Sequence, residues 1–209
     1  MGMSEPYRLK WDEEARGMAS KALAKRQGFS ELLHGIQSKD DKTRYTSFRA
    51  LLYVIEDRPA LLYDGWDRFV ELLDSPNAYH RYIATYLIAG LTKADAENRF
   101  ERIFDKYFAL LDDGSVMVAA HVAGNAAGIV GVKPELEPRI TNRLLSVEKT
   151  HHDPSRKQLI KGYVIESFTK YYEQAREKRK ILGFVQKQLR SKSPRTRKMA
   201  KQFLQKWAK

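Results

Sequence analysis

The sequence predicts an all-α fold, an α-solenoid of stacked helix pairs, and three observations lead to it. Apolar residues recur at helical spacing in every periodic segment. A polar turn followed by an arginine comes back along the chain: Arg44-Tyr45 after Ser38-Lys39-Asp40-Asp41, Arg81-Tyr82 after Asp74-Ser75-Pro76-Asn77, and Arg197-Lys198 after Ser191-Lys192-Ser193-Pro194. Residues 73–91 overlay residues 111–129 at an offset of 38, matching Leu73 to Leu111, Asp74 to Asp112, Ala89 to Ala127 and Gly90 to Gly128. A period near 40 residues marks units that bury their apolar faces only by stacking. The expected architecture is a right-handed α-α superhelix of about five helix pairs with an extra N-terminal helix, one domain over residues 1–209.

The extra helix is expected over 11–26, with Asp12, Glu13 and Glu14 in a first turn that favours negative charge, and Gly28 ends it. The first repeat, 30–57, pairs a short helix capped by Ser30 with a second over about 41–57, where Phe48, Leu51, Leu52 and Ile55 share a face. In the second, 59–92, Pro59 opens a helix carrying Leu62, Trp66, Phe69, Val70 and Leu73, and Asn77 caps its partner. The third, 95–130, joins the aromatic segment 95–111 to the small, apolar segment 115–130, expected to be the most buried helix. The fourth, 134–172, turns at His151-His152-Asp153-Pro154. In the fifth, 174–208, Met199, Phe203 and Trp207 recur at i, i+4, i+8 and are expected to cover the end of the array.

Antiparallel pairs of this length, with a turn such as Leu73-Asp74-Ser75-Pro76-Asn77 and then Arg81 and Ala84 early in the second helix, resemble the HEAT-repeat family over about residues 30–209. The match is uneven, since the Arg81 position becomes Ala119 in the third repeat and Lys157 in the fourth. The resemblance implies a non-enzymatic scaffold or adaptor with a protein partner. It implies too that second helices line a concave partner-binding face, on which Arg44, Arg81, Tyr82, His121 and Asn125 fall. In this family the repeat arginines commonly pair with turn aspartates of adjoining repeats, which is one reading of Arg44 and Arg81.

Composition narrows the rest. Hydrophobic residues make up 43% of the 209, enough for a continuous core, and cysteine is absent, which excludes disulfides and thiolate metal sites and favours a cytoplasmic location. The N-terminus lacks an apolar signal core, and the apolar stretch 116–132 is broken by His121, Asn125 and its glycines, so no membrane partner is expected. Residues 150–209 hold 17 Lys and Arg against four acidic residues, a net +13, whereas residues 1–149 sum to −1. Charge so placed suits a solubilising cap or a polyanion, DNA or RNA, bound through the backbone. Arg156, Lys157, Arg195, Arg197 and Lys198 open second helices whose N-termini favour phosphate, and Arg190, Lys192 and Lys201 extend the strip. Tyr163, Phe168, Tyr171 and Tyr172 read as core and rim, with base stacking as their other use.

No catalytic signature occurs: there is no P-loop, Gly-x-Gly-x-x-Gly, His-Glu-x-x-His or Gly-x-Ser-x-Gly. No cofactor is expected. His121 and Asn125 lie four apart, with no third ligand at helical spacing, and read as a core pair or a polar pair facing a partner. His151, His152 and Asp153 have metal-ligand composition, but neighbours in sequence rarely aim at one ion and a polar turn explains them equally. A HEAT-like DNA glycosylase, which uses an aspartate and aromatic residues in a basic groove, remains a third option, with Trp66-Asp67 and Trp11-Asp12 as the residues to examine. Ala120, Gly124 and Gly128, spaced by four, predict close helix contact.

Overall fold

The computed structural model describes residues 5–25 and 27–208, with side chains from residue 9 onward except that of residue 27. Among them there is no β-strand. Twelve α-helices fall into two compact units, Met1–Glu97 and Asn98–Lys209. The first unit holds α1 (Glu5–Ala24), α2 (Gln27–Gly35), α3 (Asp41–Asp57), α4 (Ala60–Tyr63), α5 (Trp66–Leu72) and α6 (Ala78–Leu91). The second holds α7 (Arg99–Ala109), α8 (Val116–Val132), α9 (Glu137–Leu145), α10 (Pro154–Tyr171), α11 (Lys178–Lys187) and α12 (Pro194–Trp207).

Four helices, α3, α6, α10 and α12, begin where short polar side chains satisfy orphan N–H groups of the first turn, whereas Ser115 before α8 makes no such bond. Asp40 accepts from the Thr43 N–H, Asn77 from Tyr79, Asp153 from Ser155 and Arg156, and Ser193 from Thr196. Among the described residues α4, α5, α7, α9 and α11 have no side-chain cap, and several of these starts differ from the expected ones. The segment expected as one helix from Pro59 breaks at Asp64-Gly65 into α4 and α5. The helix expected from Asp95 starts at Arg99, because the Tyr63 hydroxyl donates to Asp95 at 2.5 Å and Asn98 adopts the left-handed region at φ 54°. The helix expected from Gln174 starts at Lys178, because the buried Glu137 carboxylate accepts the Arg176 N–H at 3.1 Å and holds the connection open.

In the first unit α3 packs on α1, α2 and α6, and α5 packs on α6. Phe48, Leu51, Val54 and Ile55 from α3 meet a core that includes Trp66, Phe69, Ile83, Leu87 and Ile88, each such side chain worth about 1.5–3 kcal/mol when removed from water. A Cβ on Gly90 would stand 2.7 Å from Ile55 Cγ2, so glycine sets the α3–α6 spacing. Among the described side chains of α1, Ala15, Ala19 and Ala22 are the buried hydrophobics, and half-buried Trp11 packs on Tyr45. The helix is tied to α3 by polar groups as well: Asp12 accepts from Arg49 Nε at 2.9 Å and from the Tyr53 hydroxyl at 2.5 Å.

In the second unit α8, α10 and α12 lie side by side, α10 touching both others, with α9 and α11 packed behind them. Nine residues of α8 are buried, and the Ser167 hydroxyl of α10 donates to the Ala123 carbonyl. Of the two glycines in the small-residue stripe, one makes the expected close contact. A Cβ on Gly124 would stand 3.2 Å from the Tyr163 ring, whereas Gly128 faces open space. The buried stripe of α12 is Thr196, Ala200 and Phe203, while Met199 and Trp207 are half-buried. The shift from the expected Met199, Phe203, Trp207 follows from the approach of α12 to Gly162, where Thr196 Oγ1 donates to the Gln158 carbonyl at 2.7 Å.

No helix among the described residues is long and apolar enough to cross a membrane.

Candidate partner-binding face

The outward sides of α8, α10 and α12 bring His121, Tyr163 and Arg195 into one row. The Tyr163 ring meets the His121 ring edge to face at 5.3 Å, and the Arg195 guanidinium sits over its other part at 4.7 Å. Gly124 leaves the space that the tyrosine ring fills. Glu166, one turn on from Tyr163, lies 3.5 Å from Arg195. Burial pushes the His121 pKa below the ordinary histidine value; the Glu166 charge opposes that shift and Arg195 reinforces it, so the ring is held neutral near pH 7. Asn125, one turn along from His121, keeps its Nδ2 buried without a hydrogen-bond partner. The row is therefore an aromatic ring held half-exposed between a neutral histidine and a cation only partly compensated by a carboxylate.

Arg44, Arg81 and Arg197 do something else. Each folds back over its own turn and donates Nη1 to the carbonyl six residues earlier: Arg44 to Ser38 at 2.9 Å, Arg81 to Ser75 at 2.6 Å and Arg197 to Ser191 at 2.6 Å. In the same turns the serine hydroxyl accepts the N–H of the capping residue, at 3.1–3.2 Å. Arg44 pairs with Asp41 of its own helix, so its aspartate partner is local, and it lies 4.5 Å over the Tyr79 ring. Tyr82 is half-buried, packed edge to face with Phe48 and Tyr86.

The expected phosphate strip is divided by these contacts. Arg156 pairs with Asp153 at 3.1 Å, Lys157 Nζ donates to the Glu148 carbonyl at 3.2 Å, and Arg197 closes its turn. The capping side chains of Asp153 and Ser193 occupy first-turn N–H groups that a phosphate would need. Arg190, Lys192, Lys198 and Lys201, joined by Lys187, remain exposed with no carboxylate within 4.0 Å.

The other candidates point apart. His151 pairs with Asp112 at 2.6 Å, His152 is buried with Nε2 against the Leu111 carbonyl at 3.3 Å, and Asp153 caps α10. Among the described residues no group of three or more His, Cys, Asp or Glu is placed to hold a metal. Trp66 is 1% exposed, and Asp12 is held by Arg49 and Tyr53, so neither lines an open groove. Phe168, Tyr171 and Tyr172 are buried; Tyr163 alone of that set reaches the surface. The part of Glu166 was missed from sequence, although its spacing of three from Tyr163 puts both on one side of a helix.

Compared with known proteins, the chain matches no family model, no curated protein and no solved structure.

Proposed function

We propose that the chain is a non-enzymatic scaffold of five HEAT-like helix pairs, wound as a right-handed superhelix with an extra N-terminal helix, that binds a protein partner. The repeated arginine-closed turn and the side-by-side second helices within each unit support the architecture. The observation that carries the function is the His121–Tyr163–Arg195 row. Tyrosine and arginine are the side chains that most often anchor protein interfaces, and here both are held in place by neighbours before any partner arrives. A photo-crosslinking residue at Gln202, which is exposed on α12, tests it in cell extract. Protein adducts are expected that disappear with Tyr163→Ala and persist with an exposed substitution on α1; adducts indifferent to Tyr163 would refute the assignment of this face.

A second reading, DNA or RNA bound through the backbone, has its own observation in the unpaired Lys187, Arg190, Lys192, Lys198 and Lys201. Retention on immobilised DNA at about 50 mM salt, falling steeply as salt rises, would support it, because each phosphate neutralised releases a counterion.

A further inference from the structure

Resting on that protein-binding reading, we infer the chemistry of the partner: a peptide segment combining apolar anchors with acidic side chains, seated on Leu159 and Tyr163 of α10 with its carboxylates on Arg195 and Lys198 of α12.

The outward line of α10 runs Arg156, Leu159, Tyr163, Glu166, and its middle is apolar. Leu159 is 38% exposed, and Tyr163, four residues on, shows part of its ring. Residues four apart on a helix are neighbours, so the two form one patch. Beside it, on α8, the Tyr163 ring covers Gly124, and Gly128, one turn on, is exposed with open space above it. On the opposite side the patch is bordered by Arg195, whose guanidinium already lies on the Tyr163 ring, and by exposed Lys198 one turn further along α12. An apolar floor with a cationic rim is complementary to a segment that is apolar on one side and acidic on the other. The net +13 of residues 150–209 adds long-range attraction for such a segment.

The same surface is poorly matched to a nucleic-acid backbone. Phosphates place a negative charge at every nucleotide, and the strip has Asp153 beside Arg156 and Glu166 beside Arg195, two carboxylates among the cations that a regular polyanion would meet. A peptide sets its carboxylates only opposite Arg195 and Lys198 and turns a polar or apolar side chain toward Glu166. Leu159 offers nothing to a phosphate, whereas a buried leucine or phenylalanine of a partner removes it from water.

The test uses the full chain and four labelled probes of equal length: a peptide repeating glutamate with leucine and phenylalanine, the same peptide with glutamine for glutamate, polyglutamate, and oligothymidylate. Fluorescence anisotropy in about 0.1 M salt, where surface charges are largely screened beyond ~10 Å, reads the affinities. The glutamate–leucine peptide is expected to bind roughly tenfold or more tightly than each of the others. Tyr163→Ala and Arg195→Ala should each weaken it about tenfold, as truncating an interface anchor does, and exposed Lys198→Gln should weaken it less. Lys198 is free of intramolecular partners, so that variant keeps the fold and guards against misreading an unfolded one. Equal binding of polyglutamate, tighter binding of oligothymidylate, or indifference to all three substitutions overturns the inference. If every peptide fails while Gln202 still yields Tyr163-dependent protein adducts, the acidic-segment chemistry is lost and the scaffold reading survives.

Discussion

Arg197 stands in the first turn of α12, where a cation faces the positive end of the helix dipole. Its guanidinium answers that cost by donating to two carbonyls, Ser191 at 2.6 Å and Lys192 at 3.1 Å, that the preceding turn leaves without partners. Arg197→Ala should lower stability by about 1–2 kcal/mol in urea unfolding, the cost of unmade hydrogen bonds to a charged donor, with Arg197→Lys intermediate because an ammonium keeps the charge but sits on a shorter, flexible stem without the planar guanidinium's preset geometry. An alanine variant as stable as the original chain would mean that the Ser193 cap closes the turn alone. The sequence showed these arginines recurring but not which way they point, since a long side chain at a helix start reaches either outward to an anion or back to its own turn. His121 carries a pH signature whose sign is determined by its burial. Its folded pKa lies below the unfolded value of 6.5, so below about pH 6.5 the unfolded chain binds a proton that the folded chain refuses. Stability contributed by this residue is therefore full above that pH and declines as pH falls toward the folded pKa. Titrating urea midpoints from pH 7.5 down to about 5 should show a decline that His121→Gln flattens; an identical slope in the variant removes His121 as the cause.

Among its described side chains, α1 meets α3 through three buried alanines, the Trp11 ring on Tyr45 and the polar group at Asp12. The Tyr53 hydrogen bond, with help from Arg49, keeps the Asp12 carboxyl below its usual range. A carboxylate with a depressed folded pKa stabilises above its unfolded pKa of 3.8 and stops doing so as pH falls through the folded value. Asp12→Asn should accordingly lower the protection of α1 amides from exchange at neutral pH with little change in α6, and acidification below about pH 4 should lower the same protection, relative to the intrinsic rate at that pH, in the unaltered chain. Uniform exchange across both helices in the variant would mean α1 is not a separately docked element. At the other end, deleting α12 from Ser193 uncovers Tyr172, against which Phe203 and Trp207 pack at 5.0 and 5.3 Å, and bares the α10 surface at Gly162. Light scattering should then show association where the full chain stays clear, because terminal elements keep stacked helices soluble. Second helices were legible in the sequence because Asp40, Asn77, Asp153 and Ser193 announce them. First helices were less so: Asp95 and Glu137 delay helix starts through hydrogen bonds made 32 and 39 residues away in the chain, which no local pattern records.

Each unit of the molecule owns a core. In Asn98–Lys209 the ring cluster of Phe100, Phe104, Tyr107 and Phe108 joins Val118, Ile140, Ile165 and Phe203, and the buried Thr141 hydroxyl links Tyr171 to Glu137. Expressed alone, that segment should unfold cooperatively in urea, with coincident changes in helical signal and tryptophan fluorescence; separated transitions or dye binding to exposed apolar surface would show that its core is incomplete. The asymmetry of charge was plain in the sequence, but its use was not, because a count of lysines cannot tell that Glu166 and Asp153 lie among them. The arginine-closed turn has one more implication, for descent. Each of its three copies spans seven residues, Ser38–Arg44, Ser75–Arg81 and Ser191–Arg197, and in each the serine hydroxyl's bond to the cap N–H and the arginine's bond to the serine carbonyl lie inside that stretch. A gene segment duplicated in tandem carries such a turn complete, functional in its new place before any neighbour has adapted to it. The two turns without that arginine, before Ala119 and Lys157, are closed otherwise: the His151 N–H donates to Asp112, 39 residues away, and Lys157 Nζ folds back on the Glu148 carbonyl, nine residues away.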